Sequence, residues 1–372
     1  MDAEVTIIGA GVIGLAVSAA LCDCNGPVFV IERNSTFGQE TSSRNSEVVH
    51  SGIYYQPGSL KGTLCLEGKE KIYAYCNKHD IPYRKCGKLI VATNLGEEQR
   101  LFEILKRSQD NGVMDGRIIE QDEVSELEPY VNTNMALYFP TSGIIDSHRL
   151  MKQLEADAVI GGSQMVYGTE VVGIKRIEDG YKVELIDADK QKFDFSTKKI
   201  VNAAGLEAGK IAVCFGIDHP DYRVYYWKGE YFGVGNGKNK YVNGLIYPVP
   251  EQNTVGLGIH TTVDLGGGLK LGPNAIYLAD DNCDLLVDPT HAKDFFETVK
   301  PFLPFLEPED LTPDQAGIRT KLQKPGDPVR DFLIREESSR NLPGLVNLLG
   351  IESPGLTACI AIADYVKGLL KL

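Results

Sequence analysis

The chain opens with an apolar run that is interrupted by three spaced glycines. Residues 5–19 read V-T-I-I-G-A-G-V-I-G-L-A-V-S-A, in which β-branched residues give way to small residues at helical spacing. This pattern predicts a strand, a tight turn and a helix. A second apolar run, P-V-F-V-I-E at 27–32, predicts another strand that ends on an acidic residue.

Apolar periodicity continues to alternate between helix and strand through the first half of the chain. Residues 62–78 have the spacing of an amphipathic helix, and 87–93 (G-K-L-I-V-A-T) read as a strand. A charged helix is predicted over 97–110, ended by Asn111 and Gly112. Residues 147–160 predict a further helix.

The second half of the chain is richer in strand patterns. Residues 166–177, 181–187 and 193–197 predict a short meander, and 199–205 (K-I-V-N-A-A-G) a separate buried strand that returns to the first sheet. Aromatic and β-branched residues are frequent over 221–320, which predicts mostly antiparallel sheet. Residues 346–357 predict a last buried strand followed by a helix that starts near Pro354.

These elements predict an α/β protein, α+β overall, with two domains. We expect a discontinuous, Rossmann-like dinucleotide-binding domain made of residues 1–82, 141–220 and 321–372. A mostly antiparallel substrate domain, made of residues 83–140 and 221–320, is inserted into it. A chain of 372 residues exceeds what one core usually supports.

Composition narrows the class of protein. A formal net charge of -13 argues against nucleic acid as a partner, because phosphates are bound by clustered Lys and Arg. The sequence has no apolar run long enough for a membrane span. Eight cysteines without C-x-x-C spacing suggest neither a zinc site nor a disulfide framework, so we expect no metal. The chain enters its first strand without room for a signal peptide, which predicts a reducing, cytoplasmic location.

The N-terminal turn has the spacing of a dinucleotide site. Gly9 would permit the turn, Gly11 would admit a pyrophosphate and Gly14 would let the helix pack closely on the strand. Glu32 stands where an acidic residue accepts ribose hydroxyls, and its charge disfavours a 2′-phosphate, so NADP is not expected. The alternative is a chance glycine-rich turn, and the motif itself does not separate NAD from FAD.

The predicted helix near the C-terminus offers a second positive helix end. A reduced flavin carries negative charge near N1 and the C2 carbonyl, which a helix N-terminus would stabilise. The alternative is a helix cap that only ends a strand. The polar segment 41–45 adds hydroxyl, guanidinium and amide groups that could contact pyrophosphate, ribityl or ring atoms.

Several segments carry a resemblance that spans nearly the whole chain. They include G-A-G-V-I-G-L, N-S-E-V-V-H-S-G-I-Y-Y, I-P-Y-R-K-C-G-K-L-I-V-A-T, L-I-Y-P-V-P, G-L-G-I-H-T-T, A-G-I-R and G-I-E-S-P-G-L-T-A. The sequence resembles FAD-dependent oxidoreductases of the D-amino acid oxidase and glycine oxidase type, and among them most the L-2-hydroxyglutarate dehydrogenases. The resemblance implies bound FAD and oxidation of a small, anionic 2-hydroxy acid to a 2-oxo acid, with oxygen or a quinone as the electron acceptor.

The predicted cofactor-binding residues combine the two glycine-rich turns with positions that the resemblance implies, such as Val171 beside the adenine. They are Gly9, Gly11, Val12, Ile13, Gly14, Glu32, Arg33, Ser42, Ser43, Arg44, Asn45, Val171, Ala203, Ala204, Gly205, Gly350, Ile351, Ser353, Pro354, Gly355, Leu356 and Thr357.

The predicted catalytic residues follow from what the oxidation of a 2-hydroxy acid requires. His50 could accept the hydroxyl proton, since histidine titrates near neutral pH. His260 is the alternative base or a further substrate contact. Arg319 could bind the carboxylate with both arms of its guanidinium. Tyr54, Tyr55 and Lys228 could add donors.

One departure from the resemblance bears on the substrate. Family members that act on 2-hydroxyglutarate commonly have H-N-S-G before V-x-H-S-G, whereas this chain has Arg44 to Glu47 there. Two other functions therefore stay open from the residues alone: an amine or amino-acid oxidase, and a flavin-binding protein without turnover.

Overall fold

The structure is a computed structural model that describes residues 1–250, 258–280 and 283–372. Its strands are β1 (Ala3–Ile8), β2 (Val28–Ile31), β3 (Val48–Val49), β4 (Tyr83–Arg84), β5 (Lys88–Ala92), β6 (Arg117–Glu120), β7 (Met135–Phe139), β8 (Gly143–Ile145), β9 (Gln164–Val166), β10 (Thr169–Ile177), β11 (Gly180–Asp187), β12 (Lys192–Asn202), β13 (Tyr225–Val234), β14 (Leu245–Pro248), β15 (His260–Val263), β16 (Leu269–Gly272), β17 (Ile276–Leu278), β18 (Leu311–Lys321), β19 (Leu333–Glu337) and β20 (Leu342–Leu349).

The helices are α1 (Val12–Ala20), α2 (Leu60–Lys78), α3 (Leu95–Asp110), α4 (Gln121–Leu127), α5 (Ser147–Ile160), α6 (Ala208–Cys214), α7 (Ala292–Val299) and α8 (Gly355–Leu370). The five predicted helices begin within about two residues of their predicted starts, and the structure adds three short helices, α4, α6 and α7, that the sequence analysis did not predict. Side chains of Ser59, Asn94 and Asp146 cap α2, α3 and α5, as such polar residues do at helix starts. Within the described ranges, no helix is both long and apolar enough to cross a membrane.

A large sheet organises the N-terminal and C-terminal parts of the chain. Its strand order is β10-β11-β12-β1-β2-β9, with β20 paired to β12 and β19 paired to β20. Strands β9, β2, β1, β12 and β20 run parallel. Ile7 packs with α1, α5 and α8, while Ile8 packs with α6 on the opposite face. Burial on both faces explains the continuous β-branched runs in these strands.

The last segment of the predicted meander, 193–197, and the predicted return strand from 199 form one continuous strand, β12, which corrects their separation in the sequence prediction. Residues 192–197 of β12 pair antiparallel with β11, and residues from 197 to 202 pair parallel with β1. A strand of 11 residues is long enough to pair with β11 along its first half and with β1 along its second half. The carboxyl end of β12 therefore lies beside that of β1.

Three smaller sheets complete the fold. The orders are β14-β5-β7-β6 in one sheet, β15-β16-β13-β17 with β18 beside β13 in another, and β3-β8-β4 in the third. Most pairs are antiparallel, as predicted for 221–320, but β14 runs parallel to β5. This pair joins a strand of segment 83–140 to one of segment 221–320. The division into two domains at the stated boundaries stays a prediction.

Candidate active site

A cavity lies at the carboxyl ends of β1, β2 and β12 and reaches the β13–β18 pair. The carboxyl ends of parallel strands are where ligands bind in open α/β sheets, because loops from neighbouring strands diverge there. Residues of both glycine-rich turns, the 41–50 segment and β18 all contribute to its walls. The fold thus brings together segments that are separated by more than 300 positions.

The N-terminal turn has the close backbone approaches that its glycines predict. Gly9 has φ +103°, and a Cβ there would lie 2.6 Å from the carbonyl oxygen of Ala203. A Cβ on Gly14 would lie 1.9 Å from the carbonyl oxygen of Gly9. Gly9, Gly11, Val12 and Ile13 line the cavity, whereas Gly14 lies beneath the turn. Only glycine allows this packing of helix, turn and strand.

Glu32 is held at the end of β2 by the turn itself. Its carboxylate accepts hydrogen bonds from Ala10 N at 2.8 Å and Asn34 N at 2.9 Å. Each carboxylate oxygen can accept more than one hydrogen bond, so ribose hydroxyls could still be bound. Arg33 also lines the cavity, but its guanidinium is paired with Glu40 at 2.7 Å.

The segment 41–47 forms one wall of the cavity. Ser42, Arg44 and Asn45 line it, and the Ser42 hydroxyl accepts a hydrogen bond from Val12 N at 3.0 Å. Ser43 does not line the cavity; its hydroxyl donates to the Glu40 carbonyl. Glu47, at the departure from the family pattern, accepts hydrogen bonds from the backbone and hydroxyl of Ser147. Glu47 therefore ties this segment to the start of α5.

Two further segments close the cavity where the sequence predicts cofactor contacts. Val171 of β10 and the turn Ala203, Ala204 and Gly205 after β12 line one side. On another side the lining residues are Ile351, Ser353, Pro354, Gly355 and Leu356. Gly350 and Thr357 flank this second turn without lining the cavity.

A buried ion cluster that the sequence prediction missed supports the C-terminal turn. The carboxylate of Glu352 lies 2.9 Å from the ammonium groups of both Lys61 and Lys321. Burial alone would raise the pKa of Glu352, but the two ammonium groups outweigh it and hold the pKa below its ordinary value. Two cations and one anion leave this wall with a net positive charge.

His50 lies at the junction of the 41–50 segment and α8. Its Nε2 is 3.0 Å from the Ser353 hydroxyl, and its backbone N–H donates to the Thr357 hydroxyl at 3.0 Å. Burial, and then the charge of Lys88, lower the pKa of His50 well below its ordinary value. The imidazole is therefore neutral at pH 7 and is able to accept a proton.

Arg319 lines the same cavity from β18. One nitrogen of its guanidinium donates to the carbonyl of Asn274 at 2.9 Å, and the group packs against Gly229, where a Cβ would lie 2.7 Å away. Within the described residues, no carboxylate lies within ion-pair distance of Arg319. Its remaining N–H groups can thus bind an anion.

Four predicted substrate contacts do not line the cavity. Lys228 pairs with Glu230 at 3.2 Å and donates to the Leu286 carbonyl. The ring of His260 stacks on Tyr247 at 3.7 Å between centroids. Burial lowers the pKa of His260 to about 3. Tyr54 and Tyr55 follow His50 in the chain and are partly buried behind the lining residues.

Lys88 is a second residue that the sequence prediction missed. It is 1% exposed on β5, and its charge lowers the pKa of both His50 and His260. In the sequence Lys88 directly precedes the apolar run L-I-V-A at 89–92, as the first residue of the strand pattern. An ammonium is rarely fully buried without a partner, so this pattern could have marked the position.

The cavity fits a dinucleotide with a flavin ring. Helices α1 and α8 both begin at its wall, and neither N-cap residue caps its helix with its own side chain, although Ser42 accepts from Val12 N at the start of α1. The positive ends of both helices therefore face the cavity. One end suits a pyrophosphate and the other the negative edge of a reduced flavin. Glu32 lies at the ribose end and His50 near the start of α8. The residues present therefore fit FAD.

Comparisons with known proteins agree with this geometry. The chain is 37% identical to a mitochondrial L-2-hydroxyglutarate dehydrogenase of Arabidopsis thaliana, over 98% of this chain and 82% of that protein. It is 29% identical to an L-2-hydroxyglutarate dehydrogenase of Indibacter alkaliphilus, over 98% of both. The structure of a dithionite-reduced L-alpha-glycerophosphate oxidase from Mycoplasma pneumoniae with FAD bound superimposes with a TM-score of 0.87 at 29% identity, covering 100% of this chain and 95% of that one.

A glycine oxidase structure from Geobacillus kaustophilus has the same fold, with a TM-score of 0.80 at 20% identity over 99% of this chain and 94% of that one. The sequence profile of the FAD dependent oxidoreductase family matches residues 4–369, which is nearly the whole chain. The chain therefore belongs to the family of FAD dependent oxidoreductases.

Proposed function

We propose that the protein oxidises L-2-hydroxyglutarate, a five-carbon 2-hydroxy dicarboxylate, to 2-oxoglutarate. The observation that carries the proposal is that one cavity contains a neutral, half-buried histidine, His50, and an arginine, Arg319, that has no carboxylate partner among the described residues. Relatives that align with nearly the whole chain and are named L-2-hydroxyglutarate dehydrogenases support this choice of substrate.

Each of these residues would have a defined task. Bound FAD supplies the acceptor for the hydride that leaves Cα. Because Nε2 of His50 is engaged by the Ser353 hydroxyl, Nδ1 would accept the substrate's hydroxyl proton; the two electrons leave with the hydride and the C–O bond becomes a carbonyl. The Ser353 hydroxyl fixes the ring of His50, and Arg319 orients the carboxylate next to the reacting carbon.

The proposed cofactor contacts follow the walls of the cavity. Gly11, Val12 and Ser42 would hold the pyrophosphate at the start of α1, and Glu32 the ribose. Ile351, Ser353 and Gly355 would lie along the flavin at the start of α8. The positive cluster of Lys61, Glu352 and Lys321 would favour the negative charge of a reduced flavin.

The experiment that tests the function is anaerobic reduction of the FAD-loaded protein, followed by flavin absorbance. The panel contains L-2-hydroxyglutarate, its D enantiomer, L-glycerol 3-phosphate, glycine and L-proline. We expect rapid bleaching by L-2-hydroxyglutarate alone. Bleaching by amino acids alone would indicate an amine oxidase, and bleaching by nothing in the panel would contradict the proposal.

We also propose that oxygen or a quinone reoxidises the flavin, and that the protein works in the cytoplasm. Cysteines such as Cys22, Cys65 and Cys359 are free, as in a reducing compartment. Mixing the reduced protein with air-saturated buffer or with a soluble quinone separates the two acceptors. Reoxidation by neither would contradict this part of the proposal.

A further inference from the structure

Lys88 is a buried ammonium without an anionic partner. It lies on β5 between β14 and β7, with 1% of its surface exposed. Over the described parts of the chain, no side chain or carbonyl accepts a hydrogen bond from its Nζ. The nearest feature is the ring of Tyr247, whose centroid is 4.0 Å from Nζ. A cation–π contact replaces only a fraction of the hydration that burial removes.

The other buried lysines of the described residues show how unusual this is. Lys61 and Lys321 pair with Glu352, and Lys228 pairs with Glu230. Lys69 donates to the Thr141 hydroxyl at 3.0 Å. Lys61 also lies over the ring of Phe332, but among these described lysines Lys88 alone has a ring contact and no hydrogen-bonding or acidic partner. A buried cation without an anion is costly to the fold, so its presence calls for an anion from outside.

Two phenol hydroxyls, that of Tyr247 and that of its neighbour Tyr54, also lack hydrogen-bond partners among the described residues. The hydroxyls of Tyr247 and Tyr54 are both buried and make no hydrogen bond. Burial raises the pKa of Tyr247 above its ordinary value, and a charge on the nearby Tyr54 would raise it further. Both phenols therefore stay protonated and can donate. One carboxylate placed here would satisfy an ammonium and a phenol donor together.

This group adjoins the active-site cavity. The charge of Lys88 lowers the pKa of His50, which lines the cavity, and of His260, whose ring stacks on Tyr247. The thiol of Cys65 donates to the His50 carbonyl at 3.5 Å. Burial raises the pKa of this thiol, and the charge of Lys88 lowers it by a smaller amount. Lys88 and Tyr247 do not line the cavity themselves; Lys88 is linked to it through its electrostatic effect on His50, which does.

We propose that Lys88, together with the Tyr247 hydroxyl, binds the second carboxylate of a dicarboxylate substrate and thereby selects dicarboxylates over monocarboxylates. The inference rests on the proposed function, in which Arg319 holds the carboxylate beside the reacting carbon. Two unpaired cations then neutralise two carboxylates. This local positive charge would offset the repulsion of a dianion by a protein of net charge -13.

The test measures binding of two unreactive acids to the FAD-loaded protein by the change in flavin absorbance. Glutarate and pentanoate have the same number of carbons and differ in the second carboxylate. In Lys88→Met we expect the Kd for glutarate to rise about 30-fold, the effect of losing a charged hydrogen bond, and the Kd for pentanoate to stay within about twofold. Tyr247→Phe should raise the Kd for glutarate about fivefold.

Lys69→Met is the matched control, because Lys69 is an equally buried lysine away from the cavity, and neither Kd should change. Equal losses for both acids in Lys88→Met, or no loss for glutarate, would overturn the inference. If Lys88→Met does not retain flavin, the same comparison of the Kd values for glutarate and pentanoate is made with Tyr247→Phe. A wild-type protein that binds pentanoate as tightly as glutarate would also overturn it.

Failure of the proposed function gives a different result. The wild-type protein would then oxidise no 2-hydroxy acid, while the dependence of glutarate binding on Lys88 would persist. If L-2-hydroxyglutarate is oxidised and Lys88→Met binds both acids as before, the inference alone is wrong.

Discussion

The Nε2 atom of His50 lies 3.0 Å from the hydroxyl oxygen of Ser353, although the two residues are 303 positions apart. The contact joins the segment after β3 to the turn before α8. It fixes the imidazole at the start of the helix that we assign to the flavin. A histidine whose ring is held and neutral is suited to accept a proton.

The first prediction concerns this pair. His50→Gln should lower the rate of flavin reduction by L-2-hydroxyglutarate about 100-fold or more, because proton acceptance is lost. Ser353→Ala should lower it about tenfold, since only the orientation of the ring is lost. Stopped-flow absorbance at saturating substrate measures both rates.

His219→Gln is the control for this pair, because His219 lies outside the cavity lining and should leave the rate unchanged. A wild-type rate in His50→Gln would show that the base lies elsewhere.

The second prediction is a pH dependence that is specific to dicarboxylates. Burial lowers the pKa of Lys88 to about 8, so its ammonium is present below pH 8 and is lost as the pH rises through 8. The affinity of the free protein for glutarate should therefore fall above pH 8, by up to about tenfold per unit, whereas pentanoate binding should not follow that curve.

The groups that interact electrostatically with Lys88 have pKa values that are shifted away from this range. Burial lowers the pKa of His50 and of His260 and raises the pKa of Cys65 to about 12 and that of Cys86. Burial also raises the pKa of Tyr247 above its ordinary value. Titrations with glutarate at pH 6.5, 8 and 9.5 check the prediction, and equal affinities at all three would contradict it.

The third prediction is that Lys88→Met gains stability while it loses dicarboxylate binding. Methionine fills a similar volume without a buried charge, so we expect the free energy of unfolding of the unliganded protein to rise by about 1 kcal/mol or more. Urea unfolding monitored by circular dichroism measures this change. A destabilised variant would mean that the ammonium has a structural partner.

The fourth prediction separates Arg319 from Lys88. Arg319→Met should raise the Kd of glutarate and of pentanoate alike, by about 10- to 100-fold, because both acids carry the first carboxylate. Arg319→Lys should recover only part of the affinity, since lysine lacks the two-armed geometry. If Arg319→Met weakened the binding of glutarate but not of pentanoate, Arg319 would bind the second carboxylate and Lys88 the first.

The fifth prediction concerns the dinucleotide turn. Gly14→Ala places a methyl group 1.9 Å from the Gly9 carbonyl oxygen, so the turn must shift, and we expect a loss of about 3 kcal/mol in stability together with weaker flavin retention. Gly368→Ala on α8 meets no atom within 4 Å and should instead add about 0.5–1 kcal/mol.

Thermal unfolding and the ratio of flavin to protein absorbance measure both glycine variants. Normal flavin content in Gly14→Ala would contradict the role given to this turn.

Much of the fold could be predicted from local patterns. The strand, glycine turn and helix at the N-terminus appear as β1, Gly9 and α1, and the periodic segment 147–160 is α5 with the same bounds. Such elements depend on residues close in sequence. The continuity of β12 could not be predicted, because the change of partner at residue 197 depends on where β1 and β11 lie.

The candidate site also has some features that the sequence predicts and others that it does not. The glycine spacing, Glu32 and the motif around His50 are sequence features, and the family of FAD dependent oxidoreductases follows from the residues alone. These sequence features do not show which lysine and arginine side chains lack an acidic partner. Lys228 and Lys88 both stand in strands, yet Lys228 pairs with Glu230, whereas Lys88 has the ring of Tyr247 and no acidic partner in the described part of the chain.

The sequence by itself determined much of the secondary structure, the dinucleotide turn and the class of chemistry, because each depends on residue type at short spacing. Only the tertiary structure decided which side chains share the cavity and which charges stay unpaired. Ion pairs such as Lys61 with Glu352 form between residues that are far apart in the chain. The electrostatics of the site therefore depend on how the strands and helices pack together.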